Sequence, residues 1–221
     1  MKAVQNCETK SSEQTSLKIR KTAKGGIFMA LSIEEIKLFY KLWLSVLQFT
    51  NKHHHVTDGL PEILVDTDTL NTKPEEVDRV SSYLLEHREI LEDYVSENPD
   101  YLDQEELEII RSWKYAVNGS FFLERILKKG GMLIPSNDLV YCVSPLVSSW
   151  EEMVRYHPLP VMVETALLPF KNQITFNGLL KMMPMMFGPG VRSNLKEAYS
   201  TVRKAGEIID TADKLIESEK K

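Results

Sequence analysis

The sequence predicts an α+β fold: a helical N-terminal part followed by a small, mostly antiparallel β-sheet or partial barrel, closed by a long C-terminal helix. Three observations lead there. Between Ile33 and Leu127 apolar residues recur at spacings of three and four, which puts them on one side of successive helices. At Gly130 and Gly131 the pattern changes to short runs rich in β-branched and aromatic residues, separated by turn chemistry. From Leu195 to Ile216 a helical stripe returns.

In chain order, residues 1–28 are polar, lack periodicity and carry six basic and two acidic groups. Such a segment cannot offset the entropy of ordering and is expected to be a disordered tail. Lys24-Gly25-Gly26, shortly before Met29, echoes a translated purine-rich leader, so Met29 is an expected true start.

Ser32 with Glu35 three positions later forms a capping box that starts a first helix, carrying Ile36, Phe39, Tyr40, Trp43, Leu44 and Leu47 to an expected end near Asn51. His53-His54-His55 then falls in a solvated loop. Adjacent loop histidines diverge, so no metal site is expected there. Pro61-Glu62-Ile63-Leu64 is expected to begin a short helical turn. One helix follows from Pro74, with Val77, Val80, Tyr83, Leu84, Ile90, Leu91 and Tyr94 inward, and Asn98-Pro99 ends it. Asp103 and Glu106 form a second capping box. The helix behind it carries Leu107, Ile110, Trp113 and Val117, and either breaks at Asn118-Gly119 or continues to Gly130. The helical region thus spans residues 29–129.

Residues 130–216 form the β unit and its helix. Met132–Pro135 and Leu139–Val143 make a hairpin through Ser136-Asn137-Asp138. Cys142, in its second strand, is expected to be packed, because no flanking group would depress its pKa. Pro145–Tyr156 is expected to form a short helix with Trp150, Met153 and Val154 on one side. Val161–Leu168 is a strand, and Phe170–Phe176 turns it into a hairpin. Alternation along that strand puts Met162, Glu164 and Ala166 on one face, which favours an outward Glu164. Met182-Met183-Pro184-Met185-Met186 reads as packing, and residues 217–221 should fray.

Charge excludes some functions. The net charge is −5, and residues 62–111 carry sixteen acidic against four basic groups. That surface repels phosphate backbones, which argues against nucleic-acid binding. A weaker rival, phosphate contacts from Lys171, Lys181, Arg192, Lys196, Arg203 and Lys204, predicts a steep salt dependence. Only Cys7 and Cys142 are present, far apart, which points to a reducing cytoplasm rather than a disulfide framework. No apolar run reaches the ~20 residues a membrane helix needs.

One stretch carries candidate chemistry. Gly188-Pro189-Gly190-Val191-Arg192-Ser193-Asn194 opens a helix, with Asn194 as the expected cap. Its amides and Arg192 suit an anion, with Gly188, Gly190, Arg192, Ser193 and Asn194 as the candidate residues and Glu164 as a candidate acid or base. Neither nucleotide-binding glycine pattern is matched, so a tight connection is the favoured reading.

The blocks Glu164–Lys171, Ile174–Leu180, Phe187–Arg192 and Leu195–Tyr199 resemble a recurring block in uncharacterised bacterial proteins that pair a helical region with a small β unit. Some of these append a zinc-binding tail of the SEC-C kind, absent here. The resemblance implies no catalytic residues. The expectation is a non-enzymatic cytoplasmic interaction or regulatory module without metal or cofactor, engaging a protein partner. Its alternative is an enzyme or small-ligand binder using the Gly188–Asn194 anion site.

Overall fold

The structure, a computed structural model, describes residues 31–58, 60, 74–183 and 185–220. The expectations for the N-terminal tail, the Met29 start and the Pro61–Leu64 turn lie outside these residues.

Helix α1 (Ile33–His54) starts on the Ser32 capping box. Ser32 Oγ accepts from the Glu35 N–H at 3.1 Å, and Glu35 accepts from the Ser32 N–H at 2.8 Å. The Ser32 N–H, with a smaller contribution from Lys171, holds the Glu35 carboxyl below the usual glutamate range. The helix runs three residues past its expected end. Asn51 does not terminate it, because its amide exchanges two 2.9 Å hydrogen bonds with the Thr57 backbone and latches the outgoing chain instead. His55, in the left-handed region at φ 51°, is the cap.

The single helix expected after Pro74 is two, α2 (Pro74–Glu86) and α3 (Glu89–Glu97). The break falls at His87-Arg88. Arg88 makes it tenable by donating to the Leu85 carbonyl at 3.0 Å and to the Lys114 carbonyl at 2.8 Å, covering a carbonyl that the end of α2 leaves open. Asn98 caps α3 in the left-handed region, and α4 (Gln104–Ser112) starts on the Asp103–Glu106 capping box as its sequence predicts.

The helical reading fails after the 3-10 turn Trp113–Tyr115. Val117–Leu127 is strand β1, not helix, so the sheet begins well before Gly130. Neighbours on both edges override the local preference: β1 pairs antiparallel with β4 (Val161–Phe170) over Val117–Leu123 and with β2 (Gly130–Ile134) over Phe122–Leu127. A register shift between Leu123 and Arg125 bends the strand as it passes from one partner to the other.

The β2–β3 hairpin forms as expected, with β3 at Tyr141–Val143. Of the short helix expected over Pro145–Tyr156 only Trp150–Met153 is helical, as α5, which starts on a Ser149–Glu152 capping box. Strand β4 turns through Lys171 (φ 50°) into β5 (Gln173–Phe176), and β6 (Lys181–Met183) pairs with the other end of the same β4 edge. The sheet order is β3-β2-β1-β4-β5, with β6 beside β5 on β4, and the sheet curls into a half-barrel. Ser144 draws its two ends together: its N–H donates to the Ile174 carbonyl at 2.8 Å, and its own carbonyl accepts from Thr175 Oγ1 at 3.1 Å.

The C-terminal helix is also two. Helix α6 (Pro189–Ala205) ends at Gly206, whose φ of 73° is a left-handed cap. The chain then runs beside β3, Ile209 exchanging 2.9 Å hydrogen bonds with Val140 and Cys142, before α7 (Ala212–Glu219). A helical stripe drawn through residues 195–216 misses this because the apolar spacing is similar in both pieces.

One core joins the helices to the barrel. Phe39 lies edge-on to Trp113 and to Phe170 of β4, and Trp43 packs edge-on against Trp113 at 5.3 Å. A second, smaller cluster sits outside the barrel, where Leu195 and Tyr199 of α6 cover Met132, Ile134, Val140 and Cys142.

Candidate functional site

Cross-strand neighbours on β1, β4 and β6 build the outer face of the sheet in rows: Asn118 opposite Ala166, Ser120 opposite Glu164 opposite Lys181, and Phe122 opposite Met162 opposite Met183. Helix α2 rises beside the first two rows. Between them lies a cleft of ≈780 Å³, walled by Glu75, Asp78 and Ser82 of α2 and floored by Ser120, Glu164 and Lys181.

At the base of the cleft α2 is tied to the sheet by buried polar groups. Asn177 donates to Ser81 Oγ at 3.0 Å, and its Oδ1 accepts from the Leu179 N–H at 3.2 Å. Thr165 Oγ1 donates to the Leu179 carbonyl at 2.7 Å. A buried amide satisfied in this way fixes geometry rather than reacting. Sequence reasoning missed Asn177, Ser81 and Thr165. Asn177 carried the one available signal, a polar residue before Gly178 inside an apolar run. Gly178 takes φ 84° and lies against Tyr40, so it permits the turn that aims Asn177 inward.

The expected site residues fall in two places. Glu164 lies on the outward face, as its alternation predicts, and pairs with Lys181 at 3.3 Å. The glycine-rich stretch opens α6, but Gly188 is the cap and Pro189 the first helical residue. Asn194, expected as the cap, is six residues into the helix. The backbone N–H groups of Ser193 and Asn194 lie beyond the first four and belong to the helix ladder. Pro189 has no N–H, and Arg192 turns back to donate to the Phe187 carbonyl at 2.9 Å. Gly190, at the second helical position, has no carbonyl of its own helix to donate to, while Arg192 and Glu164 are engaged by different groups.

The methionine run does not act only as packing. Met182 packs against the core and Met183 is half-buried, but Met185 is half-exposed and Met186 is 87% exposed. Beside them Phe187 meets Phe122 edge-on at 5.2 Å, and Val191 faces solvent.

The remaining candidates are structural. His53 and His54 lie in the last turn of α1 rather than in a loop, their rings tilted against those of Phe49 and Tyr83 respectively. Among the described residues no three His, Cys, Asp or Glu side chains group closely enough to hold a metal. Cys142 is buried beneath α6, and burial, with Asp210 nearby, pushes its thiol up to about 11. In a Cys7→Ser protein at pH 8, Cys142 should react with a soluble thiol reagent on the order of a hundredfold slower than an exposed thiol. Denaturant should abolish that protection. Native labelling at the rate of a model thiol would contradict the packed assignment.

No helix among the described residues is long and apolar enough to cross a membrane. No family model, curated protein or solved structure matches this chain.

Proposed function

We propose that the chain is a non-enzymatic cytoplasmic interaction module that engages a protein partner across the outer face of its sheet. The observation that carries this reading is the strip between α2 and α6 that no described element covers, where Met185, Met186 and Val191 reach solvent beside the half-buried Phe122, Met162 and Met183. An apolar strip next to a polar cleft is the composition of an interface core with its rim. Methionine there adapts its shape to a partner at little cost. The cleft itself supports binding over catalysis, since its Ser81 and Thr165 hydroxyls are committed to Asn177 and Leu179 and Glu164 is tied to Lys181.

The test is site-specific photo-crosslinking in the cell that makes the protein. A crosslinking amino acid at Met186 is expected to give a discrete protein adduct. The same residue at Tyr101, equally exposed in the α3–α4 connection, serves as control. Equal or absent adducts at the two positions would overturn the reading.

A further inference from the structure

The two helices that border the open face carry opposite charge. On α2, Glu75, Glu76, Asp78 and Glu86 stand against Arg79 alone, and Arg79 is spent on Glu76 at 3.5 Å. On α6, Arg192, Lys196, Arg203 and Lys204 stand against Glu197 alone. Among the described residues no cation pairs with Glu75 or Asp78, and no carboxylate pairs with Lys196, Arg203 or Lys204, all of them exposed. Arg192, Lys196 and Arg203 follow one another at i, i+4 and i+11, which keeps them within a narrow stripe of the helix. The opposite flank of α6, with Asn194, Glu197 and Thr201, faces Asp138 across a small hollow.

From this arrangement we infer that the partner across the face is a second copy of the same chain, docked about a two-fold axis that sets the acidic wall of each α2 against the basic stripe of the other α6. The inference rests on the interaction reading above and names its occupant. A two-fold contact requires a self-complementary surface, in which each patch meets its complement on the other copy. One chain here supplies both halves: uncompensated carboxylates on one border, uncompensated cations on the other, and the Met186 strip between them to meet its own symmetry mate. An acidic partner would meet repulsion from α2, and a basic one would leave the α6 stripe unmatched; a second copy satisfies both borders at once.

The test uses the full chain and two double variants of exposed residues, Glu75→Lys with Asp78→Lys, and Lys196→Glu with Arg203→Glu. Sedimentation velocity of the unmodified chain should show a dimer that weakens as salt rises. Each variant alone repels itself at both contacts and should dimerise about tenfold or more weaker. Mixed in equal amounts, the two attract at both contacts, so a heterodimer should reappear. Circular dichroism of each variant checks that the fold is retained. A monomeric unmodified chain at low salt, variants that still dimerise, or a mixture that stays monomeric would each overturn self-association. The crosslink at Met186 separates the two levels of the argument: an adduct of twice the chain mass supports the dimer, one of another mass sinks the dimer but keeps the interaction face, and none sinks both.

Discussion

Replacing Trp113 by alanine should lower stability by about 3–5 kcal/mol, the range for truncating a large buried aromatic. Trp113 is fully buried where α4 meets β1 and touches the rings of both Phe39 and Trp43. Its Nε1 donates to the Pro169 carbonyl at 3.1 Å, so truncation opens a cavity and also strips a buried acceptor on β4. Trp113→Phe isolates the second effect and should cost about 1–3 kcal/mol, much of it the unpaired carbonyl. Trp43 provides the contrast. It is equally buried, but among the described residues its Nε1 has no hydrogen-bond partner, so Trp43→Phe removes an unsatisfied donor and should cost less than Trp113→Phe. Urea titrations followed by far-ultraviolet dichroism and by fluorescence measure all three. Because one core spans helices and barrel, the two probes should give coincident transitions. A Trp113→Ala protein whose helices melt before its sheet would show that the junction does not couple them.

That junction is also where local reading of the sequence loses its grip. Ser32 with Glu35 and Asp103 with Glu106 were legible because a capping box is complete within four residues. The β2–β3 and β4–β5 hairpins were legible because turn chemistry and β-prone runs adjoin. Val117–Leu127 was not. Trp113, Val117 and Phe121 fit a helical stripe, Glu124 and Arg125 favour helix, and the alternation of buried Phe121 and Leu123 with half-exposed Phe122 is short. What makes it a strand is pairing with β4, some forty residues along, and no local propensity encodes that. The candidate site follows the same rule. Glu164 could be placed on the outward face by period-two alternation, but its cleft depends on Asn177 reaching Ser81 across 96 residues of chain. The charges on α2 and α6 were readable one by one; that they border one uncovered face is a property of topology alone.

The hairpin joining β1 to β2 gives the second large effect. Gly130→Ala should destabilise the protein by roughly 3 kcal/mol or more, the sum of backbone strain and overpacking. Gly130 sits at φ 153°, and a Cβ there would lie 2.3 Å from the Val143 carbonyl oxygen and 2.8 Å from its carbon. Neither is a side-chain end that can swing away, so β2 and β3 would have to part. That same carbonyl accepts the Trp150 indole N–H at 2.8 Å, and the next residue, Ser144, carries the hydrogen bonds that draw β3 to β5. A displacement at Val143 therefore reaches the seam that brings the two ends of the sheet together. Gly119→Ala is the matched control, because among the described residues nothing beyond its chain neighbours lies within 4 Å of the added methyl group and φ is not positive; it should change stability by less than about 0.5 kcal/mol. Hydrogen exchange distinguishes local from global loss: in Gly130→Ala the amides of Cys142 and Ser144, which bond to Ile209 and Ile174, should lose protection before those of α1. If their protection held while stability fell, the damage would be confined to the turn, and the seam would not depend on the β2–β3 register.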